Sequence, residues 1–139
     1  MNAENRLREK FGEKIKIEKP NEKRIYVTCD KDDLEEIVKF IFRDMDARYI
    51  VATGLQNFDN FEILYHFGID EEGKVLSVRV YLDKDKPEVK SLTHIIPGIA
   101  WIEREIWELL GINFVGHPNL KHLLLPEDWP EGNYPLRKY

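Results

Sequence analysis

The chain has 139 residues, 42% apolar and 34% charged, with a formal net charge of −5. That is the length of one ordinary globular domain, able to bury roughly two thirds of its unfolded surface without covalent staples. Its single cysteine, Cys29, excludes an intrachain disulfide and an iron–sulfur cluster held by this chain's thiolates alone, and its acidic balance argues against a nucleic-acid footprint, which needs a basic face.

Residues 3–11 read as a short charged helix stopped by Gly12. The polar start, Met1 to Arg6, has no signal-peptide apolar region. Ile15 and Ile17 alternate with Lys14, Lys16 and Glu18, the pattern of a half-buried strand. Pro20-Asn21-Glu22-Lys23 marks a turn, and Ile25, Val27 and Cys29 alternate in a second strand, its hairpin partner. Asp30 can cap the next helix, with Asp32 and Asp33 in its positive first turn. Leu34, Ile37, Val38, Ile41, Phe42 and Met45 make one apolar stripe that must lie on a sheet. Three strands supply that sheet: residues 48–56, then the row Phe61, Ile63, Tyr65 and Phe67, then the row Leu76, Val78, Val80 and Leu82. Asn57 to Asn60 and Asp70 to Gly73 are the turns between them. This order predicts an α+β fold, a mainly antiparallel sheet with helices packed on one face.

Pro97-Gly98 opens a further helix over about residues 99–110, closed by Gly111. Ile99, Ile102, Ile106 and Leu109 share one face, read as the core face. Trp101, Arg104, Glu105 and Glu108 share the opposite, charged face. A tryptophan there has two readings: it is covered by the chain's own tail, or it anchors a partner surface with charges around it. Residues 112–139 show no helical or strand period and contain Pro118, Pro126, Pro130 and Pro135 beside Trp129, Tyr134 and Tyr139. A structureless segment of that length is uncommon in a small domain and is usually functional or docked. The expectation is a core domain over residues 1–112 and an extended Pro- and aromatic-rich docking tail over 113–139, bound to its own domain or to a neighbouring subunit.

The chemical candidates are sparse. Glu105 and Glu108 share a helix face but have Arg104 beside them, the usual setting of a surface ion pair. Cys29, His94, His117 and His122 follow no metal-ligand spacing, and His66 sits in an apolar strand where a structural role is expected. There is no nucleophile elbow, phosphate loop or dinucleotide fingerprint. No catalytic, cofactor or metal residue is therefore expected, and no membrane span, because the longest apolar run, 95–102, is short and broken by Pro97 and Gly98. A lone Gln and Cys among many Lys and Glu fit a thermophilic source.

The segment that runs Glu103-Arg104-Glu105, Glu108, Leu109-Leu110, His117-Pro118, Lys121 and Leu123-Leu124 resembles the signature of the thirty-kilodalton subunit family of respiratory complex I, which belongs to the peripheral arm. Ser91-Leu92-Thr93, Pro97, Ala100 and Trp101 upstream, and Pro135-Leu136-Arg137-Lys138 at the end, also look like that family. Two departures are the short chain and Lys121-His122, where a basic pair often follows the His-Pro motif. The resemblance implies a cofactor-free, non-catalytic member of a membrane complex that couples electron transfer to ion translocation, peripheral on the cytoplasmic face. It implies packing against a large catalytic subunit related to those of nickel–iron hydrogenases, and near iron–sulfur subunits. Its relatives include subunits of membrane-bound hydrogenases and sulfur reductases, and the composition leans toward these; a complex reducing quinone, such as an NADH dehydrogenase, stays open.

On this reading the docking surface is Trp101, Arg104, Glu105 and Glu108 on the helix with His117, Pro118, Lys121, Trp129, Tyr134, Arg137 and Lys138 in the tail. The rival is a freestanding small enzyme using Glu105, Glu108 and His117, which needs a pocket that gathers them.

Overall fold

The computed structural model describes residues 1–138; Tyr139, counted with the tail aromatics above, lies outside the described residues. Among the described residues, three helices and a mixed five-stranded sheet, in the order β1 (Ile15–Asn21), β2 (Arg24–Cys29), β5 (Lys74–Asp83), β4 (Asn60–Ile69) and β3 (Arg48–Gln56), make an α+β fold. By compactness the chain falls into two units, Met1–Val51 with Leu64–Val80, and Ala52–Ile63 with the chain from Tyr81 onward.

In the first unit, helix α1 (Ala3–Phe11) starts where the Asn2 side chain accepts the Asn5 N–H and ends at Gly12, whose φ of 53° suits a residue without Cβ. It buries Ala3, Leu7 and Phe11. Strand β1 (Ile15–Asn21) runs through Pro20, which an edge strand tolerates, and the turn is confined to Glu22-Lys23. Its partner β2 (Arg24–Cys29) is antiparallel to it, pairing Ile17 with Val27.

The apolar stripe forms α2 (Leu34–Lys39) but does not continue as a regular helix. Residues Phe40–Asp44 open into a wider turn in which the Met45 N–H donates to the Phe40 carbonyl, five residues back. Phe40 stands edge-on to Phe11 with ring centres 5.5 Å apart. Strands β3 (Arg48–Gln56), β4 (Asn60–Ile69) and β5 (Lys74–Asp83) follow at the expected places. Phe61, Ile63, Tyr65 and Phe67 are all buried, as the alternation requires. The sheet is mixed where a mainly antiparallel one was expected, because β2 lies parallel to β5, Val27 beside Val78, and reaches it through α2, β3 and β4.

Cys29 is buried, and burial, with Asp33 and Asp30 near it, pushes its thiol up to about 12, so it stays protonated and inert as a nucleophile. His66 shares a 2.7 Å hydrogen bond with Ser77 Oγ.

The second unit holds α3 (Ala100–Leu110), a tight turn at Pro97–Ile99 before it, and two short strands, β6 (Glu88–Lys90) and β7 (Asn113–Val115). These two pair in parallel, Val89 beside Phe114, so the segment after Gly111 is not wholly aperiodic. Val89, Leu92, Ile95, Ile96, Ile99, Ile112 and Phe114 are among its buried apolar residues. Gly54 lies so close to α3 that a Cβ there would stand 2.8 Å from Ile106 Cγ2. Among the described residues no helix is long and apolar enough to cross a membrane.

A candidate docking site built on helix α3

Helix α3 carries three charged residues that the chain buries: Glu103 at 0% exposure, Glu108 at 1% and Arg104 at 9%. Buried charges persist only when paired or fully hydrogen-bonded. Each of these is, and the groups that satisfy them are mostly backbone.

Glu103 faces the loop before the helix. Ser91 Oγ donates to its Oε1 at 2.6 Å and the Leu92 N–H to its Oε2 at 2.9 Å. Burial pushes its carboxyl above the ordinary carboxylate value, and the Ser91 and Leu92 bonds, with His117 and His94 nearby, offset part of that rise. His117 packs at the start of the helix with its side chain 1% exposed and its Nε2 3.9 Å from Glu103. The Asn119 N–H donates to His117 Nδ1 at 2.9 Å, so Nε2 carries the proton and donates to the Ala100 carbonyl at 2.9 Å. Both ring nitrogens are used.

Arg104 and Glu108 grip the tail one turn apart. Arg104 donates from Nε to the Lys121 carbonyl at 3.0 Å and from Nη2 to the His122 carbonyl at 2.6 Å. Glu108 accepts the next N–H groups in line: Leu123 at 3.0 Å, Leu124 at 2.7 Å and Leu125 at 3.2 Å. His122 Nδ1 adds a contact at 3.3 Å, and its ring lies 5.2 Å from that of Trp107. Burial would raise the Glu108 carboxyl, but the three backbone donors and His122 outweigh it and hold the group below its ordinary value. A cation thus takes two successive carbonyls and an anion takes three successive amides, which fixes residues 121–125 on the helix in one register.

The tail returns at the other end of α3. Gly111 ends the helix at φ 79°, and a Cβ there would meet the Tyr134 ring and Arg137 at 2.6 Å. The Leu136 N–H donates to the Leu109 carbonyl at 2.9 Å, and Arg137 Nε to the Leu110 carbonyl at 2.6 Å. These satisfy carbonyls that a helix end leaves open, and a cation there suits the helix dipole. The Arg137 guanidinium also lies 4.7 Å from the Tyr134 ring centre and 5.1 Å from Phe61. The Lys138 N–H reaches Gln56 Oε1 at 2.6 Å.

The predicted surface residues therefore divide. Arg104, Glu108 and His117 point into bonds within the chain. The helical period read Arg104 and Glu108 as facing outward; what covers them is tail backbone, which leaves no side-chain signal. Glu103, not among the predicted surface residues, joins them as a holding group, and Ser91 beside Leu92 was its trace in the sequence. Trp101 stays 61% exposed, with Arg104 5.2 Å from its ring centre. Leu124 and Leu136 are also exposed, and Glu105 lines a groove of about 200 Å³ with Leu136, Ile102 and Leu109. Pro118, Lys121 and Lys138 are exposed, while Trp129 and Tyr134 are half-buried. His117 bonds to Ala100 at the start of α3, whereas Glu108 lies near its end and holds the tail amides, so the two are not brought together; the rise from Ala100 to Glu108 is roughly 12 Å. Among the described residues no cluster of His, Cys, Asp and Glu could hold a metal ion.

Comparison with known proteins places this architecture. The chain is 35% identical over 135 residues to a subunit of the F(420)H(2) dehydrogenase of Methanosarcina mazei, covering 93% of this chain and 84% of that one. It is 32% identical over 140 residues to the membrane-bound hydrogenase subunit beta of Pyrococcus furiosus, covering 96% and 81%. It is 34% identical over 125 residues to a subunit of the NADH-quinone oxidoreductase of Erwinia tasmaniensis, covering 81% of this chain but 20% of that one, so it spans about a fifth of that relative's length. These relatives are, by name, subunits of larger oxidoreductases. The fold is similar to a chain of the membrane-bound sulfane sulfur reductase, an archaeal respiratory membrane complex, with a TM-score of 0.80 at 18% identity, covering 94% of this chain and 79% of that one. It is also similar to a trypsin-resistant fragment of Nqo5, with a TM-score of 0.72 at 23% identity, covering 86% and 100%. The family model described as respiratory-chain NADH dehydrogenase, 30 Kd subunit, matches residues 27–139, and the chain belongs to that family.

Proposed function

We propose that the chain is a cofactor-free assembly subunit in the peripheral arm of a complex I-like membrane-bound oxidoreductase, on the cytoplasmic face. The complex couples electron transfer to ion translocation. The partners are the large catalytic subunit, of the kind related to nickel–iron hydrogenase large subunits, and the iron–sulfur subunits of the same arm. The names of the relatives support this. So does one observation on the chain itself: its best-placed acids and bases are spent on holding its own backbone. Glu108 accepts three amides, Glu103 a hydroxyl and an amide, and His117 uses both ring nitrogens.

In this reading residues 1–112 are the scaffold and 113–139 the docking tail. Glu103, Arg104, Glu108 and His117 act as positioning residues that set the shape of the tail. The contact itself is made by Trp101, Leu124 and Leu136, which are exposed, with Glu105, Pro118, Lys121, Trp129, Tyr134 and Lys138 around them. An apolar anchor ringed by polar groups is the usual composition of an energetic interface centre. The test is to tag the chain in its native host, isolate it gently from detergent-solubilised membranes and identify what accompanies it. A hydrogenase-like large subunit, iron–sulfur subunits and membrane subunits are the expected companions. Recovery of the chain alone would overturn the proposal.

A further inference from the structure

The tail builds a second feature that holding α3 does not require. Between His122 and Tyr134 it loops out and closes a cavity of about 450 Å³, lined by Trp107, His122, Glu127, Trp129, Glu131 and Tyr134. That volume falls within the roughly 300–1,000 Å³ of pockets that enclose a ligand group. The loop is built rather than slack. The Trp129 N–H donates to the Pro126 carbonyl at 3.0 Å, and the Asn133 N–H to the Pro130 carbonyl at 3.2 Å. The Trp129 indole N–H closes the loop on the Asn133 carbonyl at 2.8 Å. Prolines at 126, 130 and 135 limit the alternatives to this shape before anything binds.

The chemistry of the lining is one-sided. Residues 123–136 contain Glu127, Asp128 and Glu131 and no Lys or Arg. Among the described residues none of the three carboxylates has an ion-pair partner. Three aromatic rings and unpaired carboxylates around a concave space are the recognition elements for an organic cation. The same unit already holds guanidinium groups this way, Arg104 over Trp101 and Arg137 over Tyr134. A guanidinium is planar, weakly hydrated and able to meet a ring and a carboxylate at once, where an ammonium is a compact, strongly hydrated point charge.

We infer that this pocket receives an arginine side chain from a basic segment of a neighbouring subunit. The inference rests on the reading of the chain as an assembly subunit and names the chemistry of one contact in it. Glu127 and Glu131 meet the guanidinium, and the rings of Trp107 and Trp129 cover its faces and stem, beside the Tyr134 ring that already carries Arg137.

The test uses the full chain with nitrogen-15-labelled tryptophans, titrated with N-acetyl-arginine methylamide and, separately, with its neutral isostere, N-acetyl-citrulline methylamide. The indole N–H resonances of Trp129 and Trp107 shift saturably with the arginine probe, while that of Trp101, outside the pocket, stays still. The citrulline probe binds at least about tenfold more weakly, the loss of about 1.4 kcal/mol expected when a ring-and-carboxylate site loses its cation. The double variant Glu127→Gln, Glu131→Gln changes only exposed side chains and weakens the arginine response without altering the spectrum elsewhere. Equal response to both probes, or no saturable response to arginine, overturns the inference. A concentration-dependent dimer in sedimentation that shifts the same two resonances puts a second copy in the pocket and also overturns it. Failure here with the tagged chain still isolating in its complex removes only this inference. A chain that isolates alone removes the reading beneath it.

Discussion

Replacing Glu108 removes one carboxylate that three consecutive backbone amides share. Hydrogen bonds to a charged group contribute about 1.5–3 kcal/mol each in net terms, and a buried donor left without an acceptor costs about 1–3 kcal/mol. The three donors do not add in full. They sit on one acceptor, and Leu124 is 63% exposed, so residues 121–125 can lift away and give their N–H groups to water. The cost is therefore bounded by the release of the strap. About 2–4 kcal/mol is expected for Glu108→Ala, and about 2 for Glu108→Gln, which keeps one acceptor oxygen but turns an amine toward donors. Urea denaturation reads the total, and amide hydrogen exchange at Leu123, Leu124 and Leu125 reads the place. The pH dependence has a definite sign. The folded carboxyl lies below its ordinary value of 4.5, so its contribution is complete above that pH and is lost as pH falls through the folded value. The gap between the native chain and Glu108→Gln is widest at neutral pH and narrows as pH falls from 4.5 through the folded value. A Glu108→Gln chain within about 0.5 kcal/mol of the native one at pH 7, with unchanged exchange at the three leucines, would refute the idea that this carboxylate holds the strap.

Glu103 has the opposite sign. Its carboxyl is raised, chiefly by burial, so the charged form burdens the fold as pH rises from 4.5 through the folded value, and Glu103→Gln is expected within about 1 kcal/mol of the native chain or above it at pH 7; a loss as large as that of Glu108→Gln contradicts this. Gly111→Ala combines a left-handed backbone with a Cβ set 2.6 Å from Tyr134 and Arg137, and is expected to lose more than about 2 kcal/mol by thermal or urea unfolding. Gly54→Ala, with ordinary backbone but a Cβ 2.8 Å from Ile106 Cγ2 and 3.1 Å from Leu110 Cδ1, is expected to lose about 1–3 kcal/mol by urea unfolding; an unchanged midpoint would contradict this close packing. Truncation after Gly116 leaves Arg104 and Glu108 without their backbone partners and is expected to lower the unfolding midpoint rather than leave it unchanged.

Where side-chain period decides structure, the sequence was legible. Helix α1 and its Gly12 stop, the α3 boundary at Gly111, and the row Phe61, Ile63, Tyr65 and Phe67 all follow from patterns of apolar spacing and caps. Where backbone groups decide it, the sequence was silent. Strands β6 and β7 are three residues each and far apart in the chain, too short to show alternation. The parallel pairing of β2 with β5 depends on a long crossover and carries no local mark. Arg104 and Glu108 look like solvent-facing charges because charges usually are; only tail carbonyls and amides make their burial tolerable. The tail's excess of leucine and aromatics pointed to docking of some kind, and its bonds to α3 are within the chain.

On the proposed function, α3 and the tail strapped to it present Trp101 and Leu124 to a neighbouring subunit. The most direct measurement is side-by-side isolation of the tagged native chain and the tagged variant Trp101→Ala, Leu124→Ser from the host membrane. Both side chains are more than half exposed, so the variant should keep the native unfolding midpoint. The native chain is expected to bring the large and iron–sulfur subunits with it, and the variant, equally folded, to bring little or none. A variant that brings the same companions in the same yield would contradict the docking role of this surface.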